Sequence, residues 1–176
     1  MKKFELTSEF ITNIFGTKLF RIKALIEFGN VKAGELGGFT EKEENLSQDG
    51  NAWVYDNARV YGDACVYGDA RVCDNARVYG NAWVYGDACV CGDACVYGDA
   101  CVYGDAGYAT VHGFGSEYRT TTFFKTKAGD IGVKCGCFYG NLSEFRKKVV
   151  ETHGETKKAK EYLMLADLME FRLTHK

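Results

Sequence analysis

A mainly β fold, built as a parallel β-helix, is predicted by three features of this 176-residue chain. Residues 51–110 divide into ten hexapeptides (NAWVYD, NARVYG, DACVYG, DARVCD, NARVYG, NAWVYG, DACVCG, DACVYG, DACVYG, DAGYAT), with alanine second in all ten and valine fourth in nine. Within a unit, Ala-x-Val-Tyr alternates small, variable, branched, variable, the period of a strand that turns alanine and valine inward. Gly-Asp or Gly-Asn then supplies a corner, because glycine reaches positive φ freely and Asn or Asp does so at low cost. A strand of about four residues cannot bury its own inward face, so successive units must stack, with rungs roughly 4.8 Å apart.

The flanking elements follow in order. Residues 1–50 read as an N-terminal cap: Leu19–Ile26 alternates as a strand over the first coil, and Gly34, Gly37 and Gly38 mark turns after it. The open ends of a β-helix recruit other strands unless covered, so caps are expected at both. Residues 111–176 read as a hairpin and a helical tail. Tyr118–Lys125 and Ile131–Tyr139 form the hairpin around Ala128, Gly129 and Asp130. Asn141 and Glu144 have capping-box spacing and open a helix to about His153, stopped by Gly154. A second helix, about Thr156–Leu173, lines up Ala159, Tyr162, Leu163, Ala166, Met169 and Leu173 on one side. Its apolar side needs a seat, either a face of its own prism or the same helix of a neighbour. Tyr162, Leu163, Ala166 and Met169 are therefore the expected oligomerisation residues of a homo-oligomer, dimer or trimer.

The frame Val54–Ala58 and its copies resemble the hexapeptide-repeat left-handed β-helix family, whose unit pairs an aliphatic residue with a small inward residue four further on. That resemblance implies three units per coil, hence about three coils of a triangular prism over residues 51–110. The flanks Phe20–Leu25, Val31–Phe39, Asn45–Gln48 and Gly136–Gly140 resemble hexapeptide-repeat proteins of bacteria and their phages, often labelled transferase-like or polymer-forming. The phage association implies an inhibitor of host defence, anti-CRISPR-like in role, that blocks a protein complex or sequesters a nucleotide.

Composition narrows the classes. The longest apolar run is Tyr162–Ala166, whereas a bilayer-spanning helix needs about 20 residues. Met1, Lys2 and Lys3 precede no continuous apolar segment, so a cytoplasmic protein with no membrane partner is expected. Six of the eight cysteines lie in the repeat at positions that other copies fill with Trp, Arg or Tyr, and they read as reduced thiols. The repeat carries three arginines and no lysine against eight aspartates, while residues 111–176 are net basic. Such a shaft repels a long polyanion, so duplex nucleic acid is not an expected partner, and a protein or a small nucleotide is.

An eighteen-residue coil sorts the outward positions into three faces. Face one carries Trp53, Tyr55, Arg71, Cys73, Cys89 and Cys91; face two Arg59, Tyr61, Arg77, Tyr79, Cys95 and Tyr97; face three Cys65, Tyr67, Trp83, Tyr85, Cys101 and Tyr103. None of the eighteen is Ser, Thr, Lys or Glu, and aromatic surface of this kind marks interaction sites or self-stacked tyrosine ladders. At least two faces are therefore expected to be covered, by a neighbour, a partner or the protein's own tail. Candidate binding residues are Arg59, Tyr61, Arg77, Tyr79 and Tyr97, with Trp83, Tyr85 and Tyr103. Arg59 and Arg77 beside tyrosine rings suit phosphate and base contact. Columns of corner residues such as Asn51, Asp69, Asp87 and Asp105 suit calcium in principle, but serve first as turns.

The runner-up class is an acyltransferase. Hexapeptide-repeat acyltransferases use a histidine base and a loop extruded from the coils, and residues 51–110 have neither. Of His112, His153 and His175, only His112 lies near the prism, and it is the one candidate base. Cys135 and Cys137, with His112 or His153, have half the spacing of a zinc site, and Cys89 with Cys91 is equally ambiguous. No metal and no cofactor are expected. A third class, a polymer-forming subunit, would need exposed coil ends.

Overall fold

The computed structural model describes residues 1–104, 107–115 and 119–174. Its strands are β1 (Phe4–Thr12), β2 (Lys18–Ala24), β3 (Leu36–Thr40), β4 (Trp53–Val54), β5 (Arg59–Val60), β6 (Cys65–Val66), β7 (Arg71–Val72), β8 (Arg77–Val78), β9 (Trp83–Tyr85), β10 (Cys89–Val90), β11 (Cys95–Val96), β12 (Cys101–Tyr103), β13 (Tyr108–Phe114), β14 (Arg119–Lys125), β15 (Ile131–Cys135) and β16 (Phe138–Asn141). Helices α1 (Leu142–His153) and α2 (Lys157–Thr174) complete the chain.

The repeat folds as the alternation requires. Every second-position alanine from Ala52 to Ala100 and every fourth-position valine from Val54 to Val102 is buried. Parallel pairs eighteen residues apart build three faces, β4-β7-β10, β5-β8-β11 and β6-β9-β12. The sixth position of the unit sits at positive φ, at Gly62, Gly68 and Gly80 and also at Asp56 and Asp74, which explains why only Gly or Asp fills it in the nine units before DAGYAT.

The solenoid begins earlier than the repeat. Phe39 and Thr40 pair with Arg59 and Val60, and Leu46 bridges Val66, so residues 39–54 are already a coil without the hexapeptide sequence. These offsets are twenty residues where Val54 to Val72 is eighteen, which places two extra residues between Leu46 and Val54. The prism therefore has about four turns, one more than the repeat alone delimits. Asn45 closes this first coil, donating through Nδ2 to the carbonyls of Gly62 at 3.0 Å and Ala64 at 2.8 Å.

The N-terminal cap is an antiparallel hairpin, β1 with β2, continued by β3 into face two of the prism. The β1 strand has no counterpart in the sequence reading. Gly37 and Gly38 lie inside β3, not in turns. Lys3 is buried beneath the cap, its Nζ donating to the carbonyl of Ala52 at 3.0 Å and that of Gly50 at 3.3 Å.

At the far end the tenth hexapeptide leaves the prism. Asp105 and Ala106 lie outside the described residues, and Tyr108–Thr110 open β13, the edge of a four-stranded antiparallel sheet β13-β14-β15-β16. The expected hairpin is its middle, β14 with β15, although Tyr118 is outside the described residues. Strand alternation on β14 joins two cores: Phe124 packs into the prism, and Phe123 packs with Phe145, Tyr162 and Met169. The capping box of Asn141 and Glu144 is formed, and Gly154 ends α1.

The apolar side of α2 takes neither expected seat. Tyr162, Ala166 and Met169 are buried within the chain's own second core and Leu163 packs at its margin, because the sheet offers α2 an apolar face inside the same chain. Tyr162, Ala166 and Met169 are therefore not available as an oligomerisation surface; the exposed apolar residues of α2 are Met164, Leu168 and Phe171. No described helix is long and apolar enough to cross a membrane.

Candidate ligand cleft on the second face

Face two collects the residues that the period puts in one column. Arg59 and Arg77 are register partners on β5 and β8, with Cys95 next on β11. Beside them Tyr61 and Tyr79 stack with ring centroids 4.8 Å apart and planes 9° from parallel. Tyr79 and Tyr97 follow at 4.4 Å, and Tyr139 closes the ladder edge-on at 4.7 Å. Self-stacking of tyrosines thus coexists with a concave surface.

That surface is a cleft of about 600 Å³. Arg59, Tyr61, Arg77, Tyr79 and Cys95 line it from the prism, together with Asp93. One wall is the tip of the β1–β2 hairpin, Asn13, Ile14 and Phe15; the other is Thr120, Lys134, Gly136 and Cys137. Asn13 shapes its wall, because its Oδ1 accepts from the amides of Phe15 and Thr17, both at 2.9 Å. Ile14 is 92% and Phe15 75% exposed, large apolar side chains held at the rim.

The electrostatics are one-sided. Among the described residues neither guanidinium group of Arg59 and Arg77 forms an ion pair. Like charges on directly opposed strand positions repel, and an anion lying between them relieves this. Lys134 adds a third cation on the opposite wall. The phenols of Tyr61 and Tyr79 stay neutral: burial, above all, pushes Tyr61 up to about 12, and burial together with the hydrogen bond shared with Cys95 raises Tyr79. Folding thus retains protons that unfolded tyrosines lose near pH 10, so the stability that the ladder contributes is complete below that pH and is lost as pH climbs toward the folded values. Urea midpoints measured from about pH 9 to about pH 11 should fall, and a Tyr61→Phe, Tyr79→Phe variant should show a shallower fall; equal slopes would contradict the buried ladder.

His112, on β13, is exposed and does not line the cleft, but its Nδ1 lies 3.1 Å from Oγ1 of Thr120, a wall residue. The structure thus brings the candidate base to the back of the wall facing the two arginines. His153 stacks on Tyr162 instead, and His175 is outside the described residues. Cys135 packs by Thr121 and Tyr162 and does not gather a ligand set with Cys137; among the described residues the thiols that converge are Cys73, Cys89 and Cys91. Cys73 and Cys91 are joined as a disulfide, a departure from the reduced thiols expected in the repeat; stacking on adjacent rungs brings them within reach, Cα to Cα 4.7 Å.

The other faces are partly covered by the chain itself. On face one Trp53 is fully buried beneath Phe4 and Phe28, at 6.1 and 5.3 Å between ring centroids. On face three the ladder Tyr67, Tyr85, Tyr103 runs at 5.0 and 5.1 Å, and Lys127 Nζ sits 3.9 Å over the ring of Trp83. Trp83, Tyr85 and Tyr103 do not line the face-two cleft. The corner columns bond along themselves, Asn51 to Asp69 at 2.8 Å and Asn81 to Asp99 at 3.3 Å, the work of turn residues; Asp105 is outside the described residues.

Arg59, Arg77 and the ladder were legible as a column because the period dictates it. The walls were not, since Asn13–Phe15, Thr120 and Lys134 arrive through tertiary docking. The one local clue was Ile14 and Phe15, two bulky apolar residues in a turn between strands.

Known proteins agree with the coils. The YdcK beta-solenoid repeat model matches residues 52–68 and 70–86. Over 63 residues the chain is 40% identical to a protein of Escherichia coli (strain K12) named "Uncharacterized acetyltransferase YdcK". The match covers 32% of this chain and 19% of that relative, so the chain spans about a fifth of the relative's length. With its hexapeptide units, its eighteen-residue rungs and these two matches, the chain is a hexapeptide-repeat β-helix protein.

Proposed function

We propose that the face-two cleft binds a small phosphorylated molecule that also carries a flat ring, of the nucleotide class. The observation that carries this is the pair of rung-stacked guanidinium groups, Arg59 and Arg77, without ion-pair partners among the described residues and opening onto a cleft with a tyrosine ladder and Lys134. The arginines serve the phosphate, as planar donors suited to its oxygens. The ladder offers edges and a terminal face to the ring. The cleft's volume suits one small molecule, and Asp93 on its lining disfavours a longer polyanion. The narrower expectation, obstruction of a host-defence complex, draws on no residue of this cleft.

ADP and coenzyme A titrated calorimetrically into wild type and an Arg59→Ala, Arg77→Ala variant test the proposal. Two charge-assisted contacts, about 1.5–3 kcal/mol each, make the expected loss about 10²–10⁴-fold. Failure of both probes to bind, or binding indifferent to the double substitution in a folded variant, overturns it.

A second reading, acyl transfer with an acyl-coenzyme A as that ligand, is favoured by the His112–Thr120 contact and by the acetyltransferase in the relative's name. In it the thioester end of the ligand extends past Thr120 to His112 outside the cleft; there the acceptor's amine or hydroxyl attacks the thioester carbonyl, imidazole Nε2 of His112 takes the acceptor's proton, and the coenzyme leaves as its thiolate, which is then protonated. His112→Gln should lower thiol release from acetyl-coenzyme A by about 10²–10⁴-fold without weakening coenzyme A binding. Unchanged turnover would reject the base and leave the binding reading standing.

A further inference from the structure

On face one three cysteine sulfurs meet that the ligand cleft does not use, two of them joined in the Cys73–Cys91 disulfide. Cys73 and Cys91 occupy the same position of adjacent rungs, and Cys89 lies two residues before Cys91, on the same side of its strand. Their Sγ atoms all lie within 4.8 Å of one another, and Cys89 Sγ is 3.1 Å from Cys91 Sγ. Each of the three is half-buried. Tyr108 fixes the backbone beneath them: its hydroxyl donates to the carbonyl of Cys89 at 2.7 Å and accepts from the amide of Cys91 at 3.3 Å.

We infer that Cys73, Cys89 and Cys91, in their reduced state, form a three-thiolate site for a soft d¹⁰ cation, Zn(II) or Cu(I). Thiolate sulfurs about 2.3 Å from a shared zinc lie roughly 3.8 Å from one another, a spacing within reach of side-chain rotation once the Cys73–Cys91 bond is reduced. Rung stacking brings the sulfurs together before any metal arrives, so little chain order has to be created on binding. A cavity of about 680 Å³ beside face one, lined by Cys89, Tyr108, Met169 and Arg172, gives an ion access and holds a soft thioether. Arg71, the register partner of Cys89 on the neighbouring rung, offsets the surplus negative charge of three thiolates around a divalent ion. The metal displaces the thiol protons to solvent, with no change of oxidation state. The disulfide form cannot bind in this way, because it retains only one of the three thiolates.

The whole chain, reduced with a phosphine and kept anaerobic, is titrated with Zn(II) and, separately, Cd(II), whose sulfur-to-metal charge-transfer band reports bound thiolates. One metal per chain is expected by native mass spectrometry, with a Cd(II) band of three-sulfur intensity. Cys89→Ser and Cys73→Ser should each weaken zinc at least tenfold in chelator competition, whereas Cys137→Ser should not, all three being checked for folding by circular dichroism. Oxidised protein should take up no metal at this site. Absence of stoichiometric metal in the reduced wild type, or binding that survives Cys89→Ser but is lost in Cys137→Ser, overturns the inference.

Discussion

Replacing Trp53 by alanine is expected to destabilise the chain by about 3–5 kcal/mol, the range for removing a large aromatic side chain from a packed core. Trp53 points outward from the prism yet is wholly inaccessible, because the N-terminal cap lays Phe4 and Phe28 edge-on against it. Its loss would leave a void shared by the first coil and the cap, and the cap also holds Lys3 over the carbonyls of Gly50 and Ala52. Trp53→Phe should cost much less, since Nε1 of Trp53 has no hydrogen-bond partner among the described residues to lose. Trp83 supplies the contrast: it occupies an equivalent outward position, is 43% exposed, and should lose about 1 kcal/mol or less on conversion to alanine. Urea unfolding followed by circular dichroism separates the cases, and equal costs for the two tryptophans would mean that the cap does not cover face one.

This pair shows where the sequence was legible. The hexapeptide frame assigns Trp53 and Trp83 the same outward position, and both do stand on strands of the prism wall. What lies over each depends on segments remote in sequence, β1 over one and Lys127 over the other, and no period carries that information. The same division holds at the cleft. Arg59 over Arg77 and Tyr61 over Tyr79 follow from an eighteen-residue coil, whereas Thr120 reaches His112 only through the antiparallel register of β13 with β14, interrupted by a bulge. The first coil escaped for a third reason. It pairs like the others, but Phe39, Thr40 and Leu46 replace Ala-x-Val, so self-similarity could not find it.

Gly38→Ala is expected to loosen that first coil at a cost of about 3 kcal/mol, although alanine is the smallest change available. The sequence suggests a turn glycine, but Gly38 lies buried in β3, where the strand enters the prism wall. Its role is close approach. A β-carbon there would sit 2.6 Å from the carbonyl oxygen of Ala58 and 2.7 Å from Cγ1 of Val54, two groups fixed by the next rung. The strand must then withdraw, which strains the bonds from Phe39 N to Ala58 O at 2.9 Å and from Glu41 N to Val60 O at 3.1 Å. Overpacking typically costs 1–3 kcal/mol, and each weakened backbone bond adds about 0.5–1.5 kcal/mol. Gly34→Ala is the control: Gly34 has φ of 88° and open space around it, so alanine there meets only backbone strain of about 1–2 kcal/mol. Hydrogen exchange distinguishes the two mechanisms. In Gly38→Ala the amides of Phe39 and Glu41 should lose protection together, because β3 detaches from β5 as a unit. In Gly34→Ala they should keep it. Retained protection at Phe39 in the Gly38 variant would mean that the coil tolerates a side chain, and that β3 is a cap strand laid beside the solenoid and not its first rung.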